Sequence, residues 1–367
     1  MLGACGGEST TETSGNRPWV EEDVTFAFGS DELFGVLTAP PEDGPHPAIV
    51  IVTGAASTST GLRDGASSRA LISYAHTMVL DGYAVLRYDP PGVGRSTGDT
   101  GTEIMTERAS EAMAALRYLQ ARPDVVSDRV GLWGVSQGSW VIAIAAAENP
   151  EEVAFLISVS GAGISVADQQ VWGIETQTRA AGGDDDDVAK AGLIGRLLID
   201  WQIPEPIYQG AAQPAVDTLG EGPWADFAQI VYESDDSLEG LEQVIEILES
   251  IQNEPWADAL YLTELYLPRL RGVTPEQIAS LGEALSASLL TDPADFMTRV
   301  RCPVLAFFGE NDIVQPSETS ARLFEEYLTA AGNEDFTIVT MPGVGHDIAW
   351  NTPGYSEKVS EWLKTLF

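Results

Sequence analysis

The chain has 367 residues, 44% of them hydrophobic, and carries 56 acidic against 19 basic side chains for a net charge of −37. That length accommodates one large domain with a buried core, or one domain with a substantial insertion. The charge argues against a nucleic-acid partner, because phosphate neutralisation needs a basic face, and no stretch approaches the ~20 apolar residues of a bilayer-spanning helix.

The first segment, Leu2-Gly3-Ala4-Cys5, resembles a bacterial lipobox, in which a diacylglycerol is attached to the cysteine after signal cleavage. Residues 1–18 read as a tether, since Gly6 to Pro18 is polar and small. A full signal needs a charged start and an apolar stretch, which four residues do not supply. The expectation is a lipoprotein without its upstream signal, extracytoplasmic and touching membrane only through Cys5. The alternative is a disordered start to a cytoplasmic protein.

Two strand-like runs follow, Val24 to Phe28 and Leu33 to Ala39, joined by Gly29-Ser30-Asp31-Glu32 as a hairpin. Ala48 to Thr53 is continuously apolar and β-branched, as a parallel strand buried on both faces should be. Alternation then sets in. The spacing predicts a helix over Ser68 to Asp81, a strand over Tyr83 to Tyr88, a helix over Thr102 to Ala121, a strand over Val130 to Val135, a helix over Ser139 to Glu148 and a strand over Val153 to Val159. Repeated βα units imply a mostly parallel sheet covered on both faces.

The pattern breaks near Gly163. To about Arg299 there are helix-like runs only, among them Val188 to Trp201, Leu238 to Gln252 and Pro275 to Leu290. The acidic run Asp184 to Asp187 reads as a solvated loop. Trp172, Trp201 and Trp224 either line a pocket or form the core of this segment, the second being favoured. Alternation resumes with Pro303 to Phe308, a helix over Ser317 to Ala331, a strand over Phe336 to Met341 and a last helix over Ser356 to Phe367. The expected division is therefore 19–162 and 300–367 as a core, with 163–299 as a helical lid over the carboxyl edge of the sheet, where active sites of such sheets lie. Cys302 starts an apolar run and reads as a buried structural thiol. Two cysteines make neither a disulfide framework nor a zinc site, and three histidines are too few for a His-rich metal centre.

Gly134-Val135-Ser136-Gln137-Gly138 stands at a strand-to-helix junction. A serine between glycines there is the pattern of a nucleophile elbow, a turn tight enough to lift the hydroxyl clear of the sheet. A serine hydroxyl needs a base at neutral pH, and histidine fits because it titrates near neutrality. His46 lies in a Pro-rich loop and His76 in a helix-like run, whereas His346 lies in a glycine-rich loop just after the last strand. That loop can reach Ser136, so His346 is the expected base. The base needs an acid to fix its tautomer. Asp312, in the loop after Val304 to Phe308, is expected, with Glu310 as rival; Asp347 is adjacent to the base and should point elsewhere. Donors for a developing oxyanion are expected from the backbone N–H of Gln137 and from the loop Thr53-Gly54-Ala55-Ala56-Ser57, with Ala55 chosen over Gly54 and Ala56.

These pieces, with Asp89-Pro90-Pro91-Gly92-Val93-Gly94-Arg95-Ser96-Thr97-Gly98, resemble the α/β-hydrolase family, specifically its bacterial serine esterases and serine aminopeptidase-like group. Pro91 replaces the usual arginine of that last loop, and Thr53-Gly54 replaces the usual His-Gly. The resemblance implies an α/β-hydrolase fold: a mostly parallel central sheet, an N-terminal antiparallel hairpin and a helical lid after the sixth strand. It also implies hydrolysis through an acyl-enzyme without metal or organic cofactor. A serine nucleophile disfavours the haloalkane dehalogenase and epoxide hydrolase branches. The leading expectation is a carboxylesterase for small to medium acyl groups, acting on a small-molecule ester. A peptidase or amidase on the same triad is the alternative, with Glu175, Asp184 to Asp187 or Glu205 as possible holders of a free amine. A non-catalytic, lipid-anchored binding protein is the third.

Overall fold

Eight strands form one mixed sheet in the order β1-β2-β4-β3-β5-β6-β7-β8. The computed structural model describes residues 18–54, 66–99, 104–233, 240–272, 274 and 286–367. Cys5 with most of the expected tether, Ala55 and Ala56, and residues 275–285 of the expected helix before Leu290 lie outside the described residues.

The antiparallel part comes first. β1 (Val20–Phe28) and β2 (Asp31–Ala39) pair through a tight turn in which Gly29 takes φ +59°, a conformation glycine adopts without steric cost. β2 then pairs antiparallel with β4 (Ala84–Tyr88). The remaining neighbours, β3 (His46–Val52), β5 (Val125–Val135), β6 (Leu156–Val159), β7 (Val304–Gly309) and β8 (Phe336–Met341), run parallel. β4, β6 and β7 are buried along their whole length, as a sheet covered on both faces requires.

Two apolar layers supply that cover. On one face α1 (Arg69–Val79) and the last helix, α10 (Tyr355–Leu366), bury Leu71, Met78, Val359 and Leu363 against Ile49, Val85 and Trp133. On the other, α2 (Met105–Gln120), α3 (Gln137–Glu148) and α9 (Ser317–Ala330) pack on Val50, Leu132 and Phe308. The chain leaves β3 toward β4 and returns to the other side at β5, so the order reverses at the β3/β5 boundary. A crevice forms beyond the carboxyl ends of strands at such a reversal. The ends in question are Thr53-Gly54 and Ser136.

Between β6 and β7 the chain is helical: α4 (Val166–Ala180), α5 (Asp185–Gln202), α6 (Gln209–Leu219), α7 (Pro223–Glu233), α8 (Leu241–Ile251) and short turns from Ala257 to Arg271 and at Ala294–Met297. This segment has its own core, in which Trp201, Phe227, Leu248 and Trp256 are buried and against which Trp224 packs. Trp172 is partly exposed on α4.

The acidic run Asp184 to Asp187 is not a loop. Asp184 caps α5, accepting from the backbone N–H of Asp186 and Asp187 at 3.0 Å each, while Asp187 accepts from the Asp184 N–H at 3.2 Å. Carboxylates belong at that position because they satisfy orphan donors and oppose the positive end of the helix dipole. His46 likewise opens β3 instead of lying in a loop, with Nε2 3.0 Å from the Glu42 carbonyl. Cys302 is half-buried and packs against the core, and burial pushes its thiol up to about 12.

Candidate active site

The local fold at Ser136 follows from steric necessity. β5 must turn into α3 within one residue, and Ser136 takes φ 53°, ψ −122° to do it. Its N–H donates to the Val159 carbonyl at 2.8 Å, which ties the turn to the end of β6. The flanking glycines are forced. A Cβ on Gly134 would lie 2.4 Å from the Gly138 carbonyl oxygen, and one on Gly138 would lie 2.6 Å from the carbonyl oxygens of Val52 and Thr53. The helix start therefore presses directly on the strands, and Ser136 is left partly exposed above them.

The other two side chains arrive on loops from β7 and β8. Those loops are stitched together: Glu310 N–H donates to Met341 O at 3.0 Å and Asn311 N–H to Val344 O at 2.8 Å. Gly309 permits the approach, since a Cβ there would stand 2.1 Å from the Gly345 carbonyl oxygen. Glu310 does not face the imidazole ring; its Oε2 accepts from the Gly343 N–H at 2.7 Å and shapes the loop that carries His346.

The result is one hydrogen-bonded chain. His346 Nε2 lies 3.0 Å from Ser136 Oγ, and His346 Nδ1 lies 2.8 Å from Asp312 Oδ2. The Asp312 side chain is fully buried, and its Oδ1 accepts from the N–H groups of Val314 at 2.7 Å and Gln315 at 3.1 Å. Two backbone donors on one oxygen leave the other aimed at the imidazole. An Asp fixed this way selects the tautomer with a proton on Nδ1, so Nε2 carries the lone pair facing the serine. Asp347 is exposed.

Gln137 opens α3, so its N–H is one of the first-turn groups without an intrahelical acceptor. Of the strand end proposed to supply the second donor, Thr53 and Gly54 are buried beside it. His76 is not near this chain; it stacks on Trp19 and lies 3.5 Å from Glu21. Among the described residues no group of three or more His, Cys, Asp or Glu is placed to hold a metal ion.

Two contributors carry no sequence signal. Ser160, just past β6, is buried at φ 51° and donates from Oγ to the His346 carbonyl at 2.7 Å. Arg108 donates to the Gln137 side chain. The loop Asp89 to Gly98 is structural: buried Asp89 accepts from Ala66 N–H at 2.8 Å and Arg95 N–H at 3.0 Å, and Ser96 Oγ binds Asp89 O and Phe34 N.

Strand order, the reversal at β3/β5 and a strained serine at that crevice are those of the α/β-hydrolase fold. Comparison with known proteins gives the same fold. A sequence profile of the S15 family, described as X-Pro dipeptidyl-peptidase, matches residues 29–193. An uncharacterized 31.7 kDa protein from the traX-finO intergenic region of Escherichia coli is 20% identical over 293 residues, 79% of this chain and 80% of that one. Among solved structures, proline iminopeptidase from Mycobacterium smegmatis is similar with TM-score 0.53 at 16% identity, covering 94% of this chain and 98% of its own. An esterase from Pyrococcus furiosus is similar with TM-score 0.52 at 14% identity, covering 95% and 91%.

Proposed function

We propose that this chain is a serine carboxylesterase for small to medium acyl groups. The observation that carries the reading is the pair of contacts at His346, 3.0 Å to Ser136 Oγ and 2.8 Å to Asp312 Oδ2. In the proposed mechanism Ser136 Oγ attacks the ester carbonyl as His346 Nε2 takes its proton. Asp312 stabilises the imidazolium, and the Gln137 N–H with a donor from the loop after β3 (Ala55 the favoured residue) holds the oxyanion. His346 then returns the proton to the departing alcohol. Water, deprotonated by the same imidazole, cleaves the acyl-enzyme and regenerates the serine.

The family profile and the proline iminopeptidase likeness favour a second reading, amide cleavage on the same machinery. It asks for a carboxylate to hold a free amine, and the candidate acids are engaged elsewhere or exposed. Glu175 pairs with Arg196 at 2.7 Å, Asp184 caps α5 and Glu205 is exposed. The ester reading therefore stands first. The helical segment is proposed as a lid, because α4 abuts the loop bearing Asp312: Gln169 Nε2 donates to the Val314 carbonyl at 2.6 Å. Lipid attachment at Cys5 is proposed on sequence grounds alone, and mass analysis of the protein purified from cells that express its native gene tests it.

Turnover of p-nitrophenyl esters against aminoacyl and prolyl p-nitroanilides tests the main reading. Ester turnover should dominate, and Ser136→Ala should abolish it, a loss of at least ~10⁴-fold, with unchanged circular dichroism. Full turnover by that variant would dismiss the mechanism, and faster anilide cleavage would make the chain a peptidase.

A further inference from the structure

Arg108 lies in the first turn of α2 and is 9% exposed. Its guanidinium is turned to the ends of two other elements. Nη1 donates to Gln137 Oε1, at the start of α3. Nη2 donates to the Thr53 carbonyl at 2.6 Å, with Thr53 Oγ1 and the Gly54 carbonyl at 3.3 Å each, at the end of β3. Burying a cation costs several kcal/mol unless its donors are met, whereas a leucine or methionine would fill the same space without that cost. Glu111, buried on the same helix, supplies opposite charge nearby, and the guanidinium donates its hydrogen bonds to the start of α3 and the end of β3. A guanidinium can meet several acceptors in one plane, which neither an apolar side chain nor a lysine can do.

The two segments it holds are those assigned to the oxyanion donors. Gln137 follows the proposed nucleophile directly, and Thr53-Gly54 is the described end of β3 that leads toward the proposed second donor. A trans peptide sets its N–H opposite its carbonyl. Capture of the Thr53 carbonyl by Arg108 therefore turns the Gly54 N–H to the opposite side and fixes how the end of β3 presents its amides. No strand hydrogen bond does this for Thr53 and Gly54, because both lie past the end of β3.

We propose that Arg108 is a positioning residue for oxyanion stabilisation. It clamps the start of α3 to the end of β3 and places a positive charge behind the donors. The inference rests on the serine hydrolase reading and extends it to a residue without direct substrate contact. Removing the clamp leaves the nucleophile and base in place but loosens the donors. The loss should fall on the step in which charge develops and spare ground-state binding.

Arg108→Ala and Arg108→Lys test it on the full chain, alongside Ser136→Ala, with kcat and KM for a p-nitrophenyl ester measured separately. In Arg108→Ala, kcat should fall ~10²-fold with KM little changed, comparable with loss of one oxyanion donor. Affinity for a trifluoromethyl ketone, which forms the oxyanion adduct, should fall by a similar factor. Arg108→Lys should lie between, since it keeps charge and loses the fork. Added guanidinium ion should restore part of the kcat of Arg108→Ala and none in Ser136→Ala. Folded variants with kcat within about twofold of the parent would overturn the assignment. So would equal loss of ketone and ground-state affinity, or failure of both variants to fold, which would make Arg108 a folding residue. If the unsubstituted chain shows no Ser136-dependent turnover, the hydrolase reading itself fails, and the inference with it. That result is visible before any Arg108 variant is made.

Discussion

At the scale of single residues, the site is held by groups that sacrifice local comfort or solvation. Ser136 and Ser160 both take positive φ without being glycine, at the carboxyl ends of neighbouring strands. Such conformations cost of order 1–3 kcal/mol and persist only where surroundings enforce them. Behind the His346 loop, the buried Tyr74 hydroxyl donates to the Ile348 carbonyl, and Tyr83 donates to Leu363 O at 3.1 Å under α10. Burial, helped by the nearby Asp81 carboxylate and opposed by Arg129, pushes Tyr83 up to about 12, and burial, opposed by a backbone hydrogen bond, raises Cys302 to about 12 as well. The sign of the consequence is fixed. The folded state holds these protons more tightly than the unfolded chain, so their stabilising contribution is complete below about pH 9 and is lost as pH rises toward 12. Urea midpoints should therefore fall between pH 8 and pH 10.5 at constant slope; a flat profile would refute it. Ser136, Asp312 and His346 were legible in the sequence because each follows a recognisable strand and histidine is scarce. Ser160 and Arg108 were not, because their partners lie 186 and 29 to 55 residues away and no local pattern marks them.

At the scale of elements, the glycines around Ser136 set how closely strand and helix pass. Gly138→Ala would push a methyl group into the carbonyls of Val52 and Thr53, where backbone, not a pliable side chain, must yield. The expected cost is ~1–3 kcal/mol in urea unfolding, with ester turnover reduced because the end of β3 moves. A stability within ~0.5 kcal/mol of the parent would show that the junction has slack. The strands were readable because buried parallel strands are continuous β-branched runs, as in Ala48 to Val52. α4 escaped notice because what it buries is small or polar, Val166, Ala167, Val171, Gly173 and Thr178, so its apolar period is faint. α6 carries an internal proline, Pro214, which argues against a helix on local grounds. A signal for α4 was present in Ser165, which caps it by accepting from Asp168 N–H at 3.1 Å.

At the scale of the whole molecule, charge and chain order dominate. A net charge of −37 means that carboxylates repel one another across the surface at low ionic strength. The screening length shrinks from about 10 Å at 0.1 M salt to about 3 Å at 1 M. Tm should therefore rise by ~5 °C or more as sodium chloride is raised over that range. An unchanged or lower Tm would mean that the acidic shell exerts no net strain. The order in which the relay is assembled has its own consequence. Ser136 and His346 are 210 positions apart, and the imidazole sits on the loop after the final strand. A ribosome that has already translated Ser136, the proposed nucleophile, must still add 210 residues before the proposed base exists. On the proposed mechanism, a product cut short anywhere before His346 carries a serine with no partner to awaken it.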